Sequence, residues 1–255
     1  MENFWKEKKY LPADAGYKMF SGKYFLALFA MLIIMASVIY CFGRLNKKAK
    51  EKICRVFAVL PFVMEVIKFI VLFSQDCYTS NYYPIGLCSL IIYIYPVYAF
   101  TKNEKVRRAA RVLICNVMLP GGIVALLFPN WIGHYPFFSY FSLHSYIWHT
   151  LMLVYPVLTW LKDRSKLKMP DIIRGDAVIL VFLPVIIFIN YKFGTNYWFL
   201  AAPTDNHPFA AVYKNAGAGV YFGIFVLVSF LAACLVAWLQ NIIMPRFIKE
   251  KAQEE

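Results

Sequence analysis

The chain has 255 residues, of which 61% are hydrophobic, 18% aromatic and only 16% charged, with a formal net charge of +13. Soluble domains carry about 45 to 50% apolar and about 25% charged residues, so the composition excludes an ordinary soluble fold and predicts an integral membrane protein. The positive charge could indicate nucleic acid, but it is spread over alternate short loops, which excludes a nucleic-acid partner in favour of a topology signal.

A membrane span needs about 20 mostly apolar residues, with about 17 as the lower limit. Segments at 24–42, 56–73, 84–100, 112–128, 142–161, 177–191 and 219–243 approach or meet that length, so we expect an all-α, multi-pass helical bundle of about seven spans. The sixth is the shortest. A tail (1–23) precedes the bundle (24–243) and a short cytoplasmic tail (244–255) follows it. The first apolar stretch is too long for the h-region of a cleavable leader, so we expect it to be retained.

Basic residues gather after span one (Arg44, Lys47, Lys48, Lys50, Lys52, Arg55), after span three (Lys102, Lys105, Arg107, Arg108, Arg111), after span five (Lys162, Arg164, Lys166, Lys168, Arg174) and after span seven (Arg246, Lys249, Lys251). The positive-inside rule then puts the N-terminus outside and the C-terminus in the cytoplasm. Lys6, Lys8, Lys9, Lys18 and Lys23 in the first tail oppose that assignment, and three concordant loops outweigh them.

In span two, Glu65 and Lys68 lie three residues apart on one helical face. Ionisable groups inside a bilayer cost a few kcal/mol unless paired or facing a wet cavity, so the pair either lines a site or fastens span two to its neighbours. At the start of span three, Tyr82-Tyr83-Pro84-Ile85-Gly86-Leu87-Cys88 places a thiol about one helical turn inside the outer face. A lone membrane cysteine is usually a packing residue. Span four carries Asn116 beside a helix-breaking Pro120-Gly121-Gly122, which predicts a kink around whatever spans three and five enclose.

Span five opens with His144-Ser145-Tyr146-Ile147-Trp148-His149. Its two histidines are about 140° apart on a helix, which disfavours a shared metal. The i, i+4 pairs are His144 with Trp148 and Ser145 with His149, and the second lets Ser145 orient the imidazole. His149 therefore reads either as a structural hydrogen-bonding group or as a base. Span six ends in Gly194-Thr195-Asn196-Tyr197-Trp198-Phe199-Leu200, where Asn196 could donate to a carbonyl or cap the helix and Tyr197 and Trp198 suit an interfacial aromatic belt. The six cysteines show no paired C-x-x-C spacing, so neither a disulfide framework nor a zinc site is indicated, and no cofactor is expected.

A thiol and an imidazole meeting at one membrane face are the minimum parts for acyl transfer through a thioester. Tyr83-Pro84-Ile85-Gly86-Leu87-Cys88-Ser89-Leu90 resembles the Leu-Pro-Leu-His-Leu-Cys-Ser-Leu signature of the YwaF-like membrane proteins, grouped with the vertebrate transmembrane protein 164. The Ser145–His149 stretch, the Gly194–Leu200 stretch and the Glu65, Lys68 pair match in order. The resemblance implies a polytopic helical bundle related to membrane lipid hydrolases, a bacterial cytoplasmic membrane location, membrane phospholipid or lysophospholipid as partner, and phospholipid acyltransferase activity with Cys88 as nucleophile and His149 as base. Glu65, Lys68, Asn116, His144, Ser145, Asn196 and Tyr197 are the expected substrate-binding residues. The signature's histidine is Gly86 here, a departure from the pattern. A transporter or binding protein without covalent chemistry, and a structural bundle without a small ligand, are the alternatives.

Overall fold

The computed structural model describes residues 3–163, 167–204 and 207–252, with side chains up to residue 242 apart from Asp176. All of its regular elements among these residues are helical: α1 (Gly22–Gly43), α2 (Lys47–Phe73), α3 (Ile91–Phe100), α4 (Glu104–Leu113), α5 (Leu119–Leu127), α6 (Tyr140–Asp163), α7 (Met169–Phe193) and α8 (Ala210–Ala252). Five stretches are long and apolar enough to cross a membrane: α1, α2, the run 104–133 that contains α4 and α5, α7 and the 210–242 part of α8. The helix over Leu87–Phe100 is apolar but shorter. α6 has the length, yet its histidines, serines and threonines hold its hydropathy down.

Each expected span coincides with a helix, and two boundaries differ from expectation. Span six is a 25-residue helix rather than the short 177–191 stretch. Its first turn contains Asp171, whose carboxylate receives Arg108 Nε at 3.0 Å and Nη2 at 2.5 Å; the pairing lets a charged turn extend a helix that hydropathy alone would truncate. Span three begins later than expected, since residues 84–86 are not helical and Leu87–Leu90 form a 3-10 turn before α3. Cys88 thus sits in that turn rather than within an α-helix.

The kink expected in span four takes the form of a π-helical segment over Ile114–Met118, which joins α4 to α5. Pro120 stands in the first turn of α5 and has no N–H to offer the carbonyl four residues back, that of Asn116. A register shift to π geometry absorbs the mismatch, and such single-turn bulges recur at functional sites.

α6 packs against α1, α2, α5 and the π segment, while α3 lies between α2 and α4. The largest core cluster joins Ile91, Tyr95 and Tyr98 of α3 with Trp148, Met152 and Tyr155 of α6, and Cys88 packs against it. Tyr95 and Tyr155 stack at 4.1 Å, and their hydroxyls donate to Leu151 O at 3.3 Å and Cys54 O at 3.1 Å. Each buried phenol meets a backbone carbonyl, which satisfies it without importing another polar side chain.

The segment before α1 is no loose tail. Tyr140 N–H donates to Phe4 O at 2.7 Å and Tyr17 N–H to Ile132 O at 2.7 Å. Glu7 is 3% exposed and its Oε1 accepts from Tyr82 OH at 2.5 Å and Tyr135 OH at 3.2 Å. These contacts close the end of the bundle where the 74–86 and 128–139 loops lie. At the opposite end, Arg107 pairs with Glu104 at 2.7 Å and Tyr98 OH donates to Asp163 at 2.9 Å; with Arg108 and Arg111 the charged groups line a recess of about 340 Å³. Arg164 and Lys166 of the expected basic loop lie outside the described residues, as do the side chains of Arg246, Lys249 and Lys251 and residues 253–255.

Candidate functional site

Cys88 is held through its surroundings, not through its thiol. The loop that delivers it is docked by the turn after α7: Tyr197 OH donates to the carbonyls of Ser80 and Tyr83, the latter at 3.1 Å, and Trp198 Nε1 donates to Ile85 O at 2.9 Å. Asn190 locks that turn, accepting from Tyr197 N–H at 2.7 Å and Thr195 Oγ1 at 2.9 Å and donating to Tyr197 O at 2.9 Å. From the other side, Trp148 Nε1 donates to the Cys88 carbonyl at 3.1 Å. Cys88 is half-buried as a residue, and no hydrogen bond joins its thiol to another side chain among the described residues.

His149 follows Trp148 on α6. Its Nδ1 lies 2.7 Å from the Ser145 carbonyl. A carbonyl only accepts, so Nδ1 carries the hydrogen and the Nε2 lone pair is left to take a proton. The Ser145 carbonyl, rather than its hydroxyl, orients the ring. The imidazole stacks on Trp131 with centroids 4.8 Å apart and planes 2° from parallel. α5 comes close here because Gly122 has no side chain: a Cβ would meet Met152 Cβ at 2.9 Å and Leu153 Cδ2 at 3.0 Å, with the His149 carbonyl at 3.5 Å. No hydrogen bond joins the Cys88 thiol to the His149 ring among the described residues. Trp148, the residue before His149, reaches the Cys88 backbone, and α5 contacts both α6 and the turn that carries Cys88.

The second group of polar residues lies one turn away on α6. His144 stacks on Trp148 at 5.2 Å and 22°, and its Nε2 is buried without a hydrogen-bond partner. Its electrostatic neighbours are Lys68 and His149. Lys68 Nζ stands 2.5 Å from Glu65 Oε1, with the two side chains 15% and 4% exposed. Neither Glu65 oxygen accepts a geometrically good hydrogen bond, although Tyr78, Tyr93 and Tyr140 surround it within electrostatic range. The pair is neutral overall and retains accepting capacity on the carboxylate.

Asn116 lies in the π segment, 2% exposed, and neither of its amide atoms has a partner. Asn196 is engaged locally, with Nδ2 donating to Ala202 O at 2.6 Å and Oδ1 accepting from Ala201 N–H at 3.0 Å, and it is exposed. Tyr197 braces the Cys88 loop through its hydroxyl. Of the residues expected at the site, Cys88, His144, Ser145, His149, Glu65, Lys68 and Tyr197 therefore gather at the end of the bundle that the N-terminal segment covers. Asn196 turns outward from it.

A family model, TMEM164 family, matches residues 19–241. The chain belongs to the TMEM164 family. No curated protein and no solved structure matches it. Membership takes in every candidate residue and leaves out most of the N-terminal segment, so Glu7 and Tyr17 are features of this TMEM164-family chain that the match does not include. Sequence reading passed over three residues that build the site, Trp131, Asn190 and Glu7, and did not mark Trp148 as a support of Cys88. Trp148 was visible as the i+4 partner of His144, but nothing in the spacing marks an asparagine inside α7 or a tryptophan after Pro129-Asn130 as a brace.

Proposed function

We propose that this TMEM164-family protein is a membrane-embedded acyltransferase acting on glycerophospholipid, with Cys88 as nucleophile and His149 as base. The observation that carries the reading is the fixed tautomer of His149: its Nδ1 is spent on Ser145 O, which leaves Nε2 as a proton acceptor on the helix whose preceding residue pins the Cys88 backbone. In acylation the thiol proton passes to Nε2 as the sulfur attacks the ester carbonyl carbon. The C–S bond forms, the carbonyl π pair moves to oxygen, and collapse breaks the ester C–O bond as the leaving alkoxide takes the proton from His149. A lipid hydroxyl then attacks the thioester with the same base, releasing the thiol.

Glu65, Lys68 and His144 supply charge and acceptors beside this centre, suited to a head group. The outward faces of the helices bear large aliphatic and aromatic side chains, so a lipid's acyl chains would approach the bundle along an apolar surface. The loop charges favour an outer-leaflet site with the N-terminal segment outside. The buried, unpartnered Asn116 favours a second reading, a transport or binding pathway without covalent chemistry.

The test uses a long-chain alkyl chloromethyl ketone on the full-length protein in proteoliposomes. We expect alkylation at Cys88, located by peptide mass spectrometry, with chloride as leaving group. His149→Ala should slow it by about 10²-fold to 10⁴-fold, the usual share of a general base. Uniform modification of the cysteines, or an unchanged rate in His149→Ala, leaves the binding-pathway reading in its place.

A further inference from the structure

Of the six tryptophans, three spend their indole N–H on an acceptor, two are exposed, and one is buried with its N–H unspent among the described residues. Trp148 donates to Cys88 O, Trp160 to Cys115 Sγ at 2.7 Å and Trp198 to Ile85 O. Trp5 and Trp238 are exposed, at 52% and 60%. Trp131 Nε1 is buried and has no acceptor among the described residues. An indole N–H is a donor only, and a buried donor left unmade is costly compared with one that is paired. Its neighbour is the His149 imidazole, against which the indole lies in a parallel stack.

The turn that carries Trp131 is held from outside the span. Tyr17 N–H donates to Ile132 O at 2.7 Å, the Tyr17 and Tyr146 hydroxyls are hydrogen-bonded, and Tyr146 meets the Trp131 ring edge-on at 5.5 Å. Gly16 lies against the Gly133 backbone so closely that any Cβ there would collide with it. The N–H is therefore fixed in direction before any ligand arrives, the condition under which a donor stabilises developing charge without reorganising.

We infer that the Trp131 indole N–H is the donor for the substrate's carbonyl oxygen, stabilising the oxyanion formed when Cys88 attacks. The inference rests on the acyl-transfer reading and adds to it a catalytic residue that sequence spacing did not mark. A donor in the ring stacked on His149 would meet a carbonyl in the ground state and more strongly once its oxygen is negative, so the residue acts mainly on the chemical step.

Trp131→Phe tests this, because phenylalanine keeps an aromatic face for His149 and removes only the donor. With a long-chain p-nitrophenyl ester, whose acyl group passes to Cys88 with nitrophenolate as leaving group, the saturating rate of nitrophenolate release should fall by about 10²-fold, the typical loss for one oxyanion donor, with the half-saturating concentration little changed. A rise in half-saturation alone, or no change in either, overturns the proposal. The second measurement does not depend on reaction: the ¹⁵N–¹H resonance of the Trp131 indole, identified by its absence in Trp131→Phe, should shift downfield when the unreactive methyl ketone of the same chain is added. No shift overturns the proposal, and a shift with a phosphate-bearing detergent but not with the ketone overturns the carbonyl assignment. If Cys88→Ser is alkylated like the parent, the acyl-transfer reading fails, while the indole resonance still decides whether Trp131 meets a carbonyl.

Discussion

Two carboxylates in this protein are each 3% exposed, and they are buried in opposite ways. Glu7, in the segment before α1, is surrounded by donors: the hydroxyls of Tyr82 and Tyr135 and the backbone N–H of Lys9 at 2.6 Å. Glu65, within α2, has a single cation at 2.5 Å and no hydrogen bond of good geometry. A carboxylate saturated by neutral donors holds loops together and has nothing left to offer. One neutralised by a single lysine keeps oxygen lone pairs available, at a cost in folding energy that a purely structural role would not require. Glu7 thus belongs to the closure of the bundle end, and Glu65 to the polar lining beneath it.

Removing the lysine separates the two cases most strongly. Lys68→Met strands a buried carboxylate and should destabilise the protein by about 3 to 5 kcal/mol, read as a fall in thermal unfolding midpoint in detergent. The double variant Glu65→Gln, Lys68→Met should recover most of that stability while leaving lipid turnover impaired. Recovery of turnover as well would make the pair a simple fastener and collapse the distinction. Glu7→Ala leaves the Tyr82 and Tyr135 hydroxyls without their acceptor and should cost about 2 kcal/mol, with faster proteolysis of the 74–86 loop. Tyr82 and Tyr135 are pushed well above the usual phenol range by burial, so both stay protonated and donating at neutral pH.

The smallest expected effect concerns the loop between α7 and α8. His207 Nδ1 accepts from Phe209 N–H at 3.1 Å, and Phe199, Phe209, Tyr221 and Phe225 surround the ring. Burial lowers its pKa from the ordinary 6.5. A group with a depressed folded-state pKa stabilises above its unfolded value and loses that stability as pH falls. Acidification below pH 6.5 should therefore lower the unfolding midpoint by a degree or two, and His207→Phe should remove that dependence.

The same contrast explains what could be read from the sequence. The helical spans were legible because apolar length is a local property, and Glu65 with Lys68 stood out because charge is rare in such stretches. The start of α7 was hidden by Asp171, whose neutralisation by Arg108 depends on a contact 63 residues away. Cys88 and His149 were legible as reactive types. Their supports were not, since Trp131, Trp148, Asn190 and Glu7 act through contacts that no periodicity encodes. Asn196, read either as a donor to a carbonyl or as a cap at the end of span six, closes the turn after α7 through Ala201 and Ala202.

The central claim is covalent, and trapping the intermediate tests it most directly. The full-length protein in proteoliposomes of a single diacyl phospholipid, quenched in acid and analysed as intact mass and as peptides, should carry one acyl group on Cys88. Neutral hydroxylamine should remove that group, and Cys88→Ser should lack it. An unmodified Cys88 under lipid turnover, or the same hydroxylamine-sensitive adduct in Cys88→Ser, would contradict acyl transfer through this thiol.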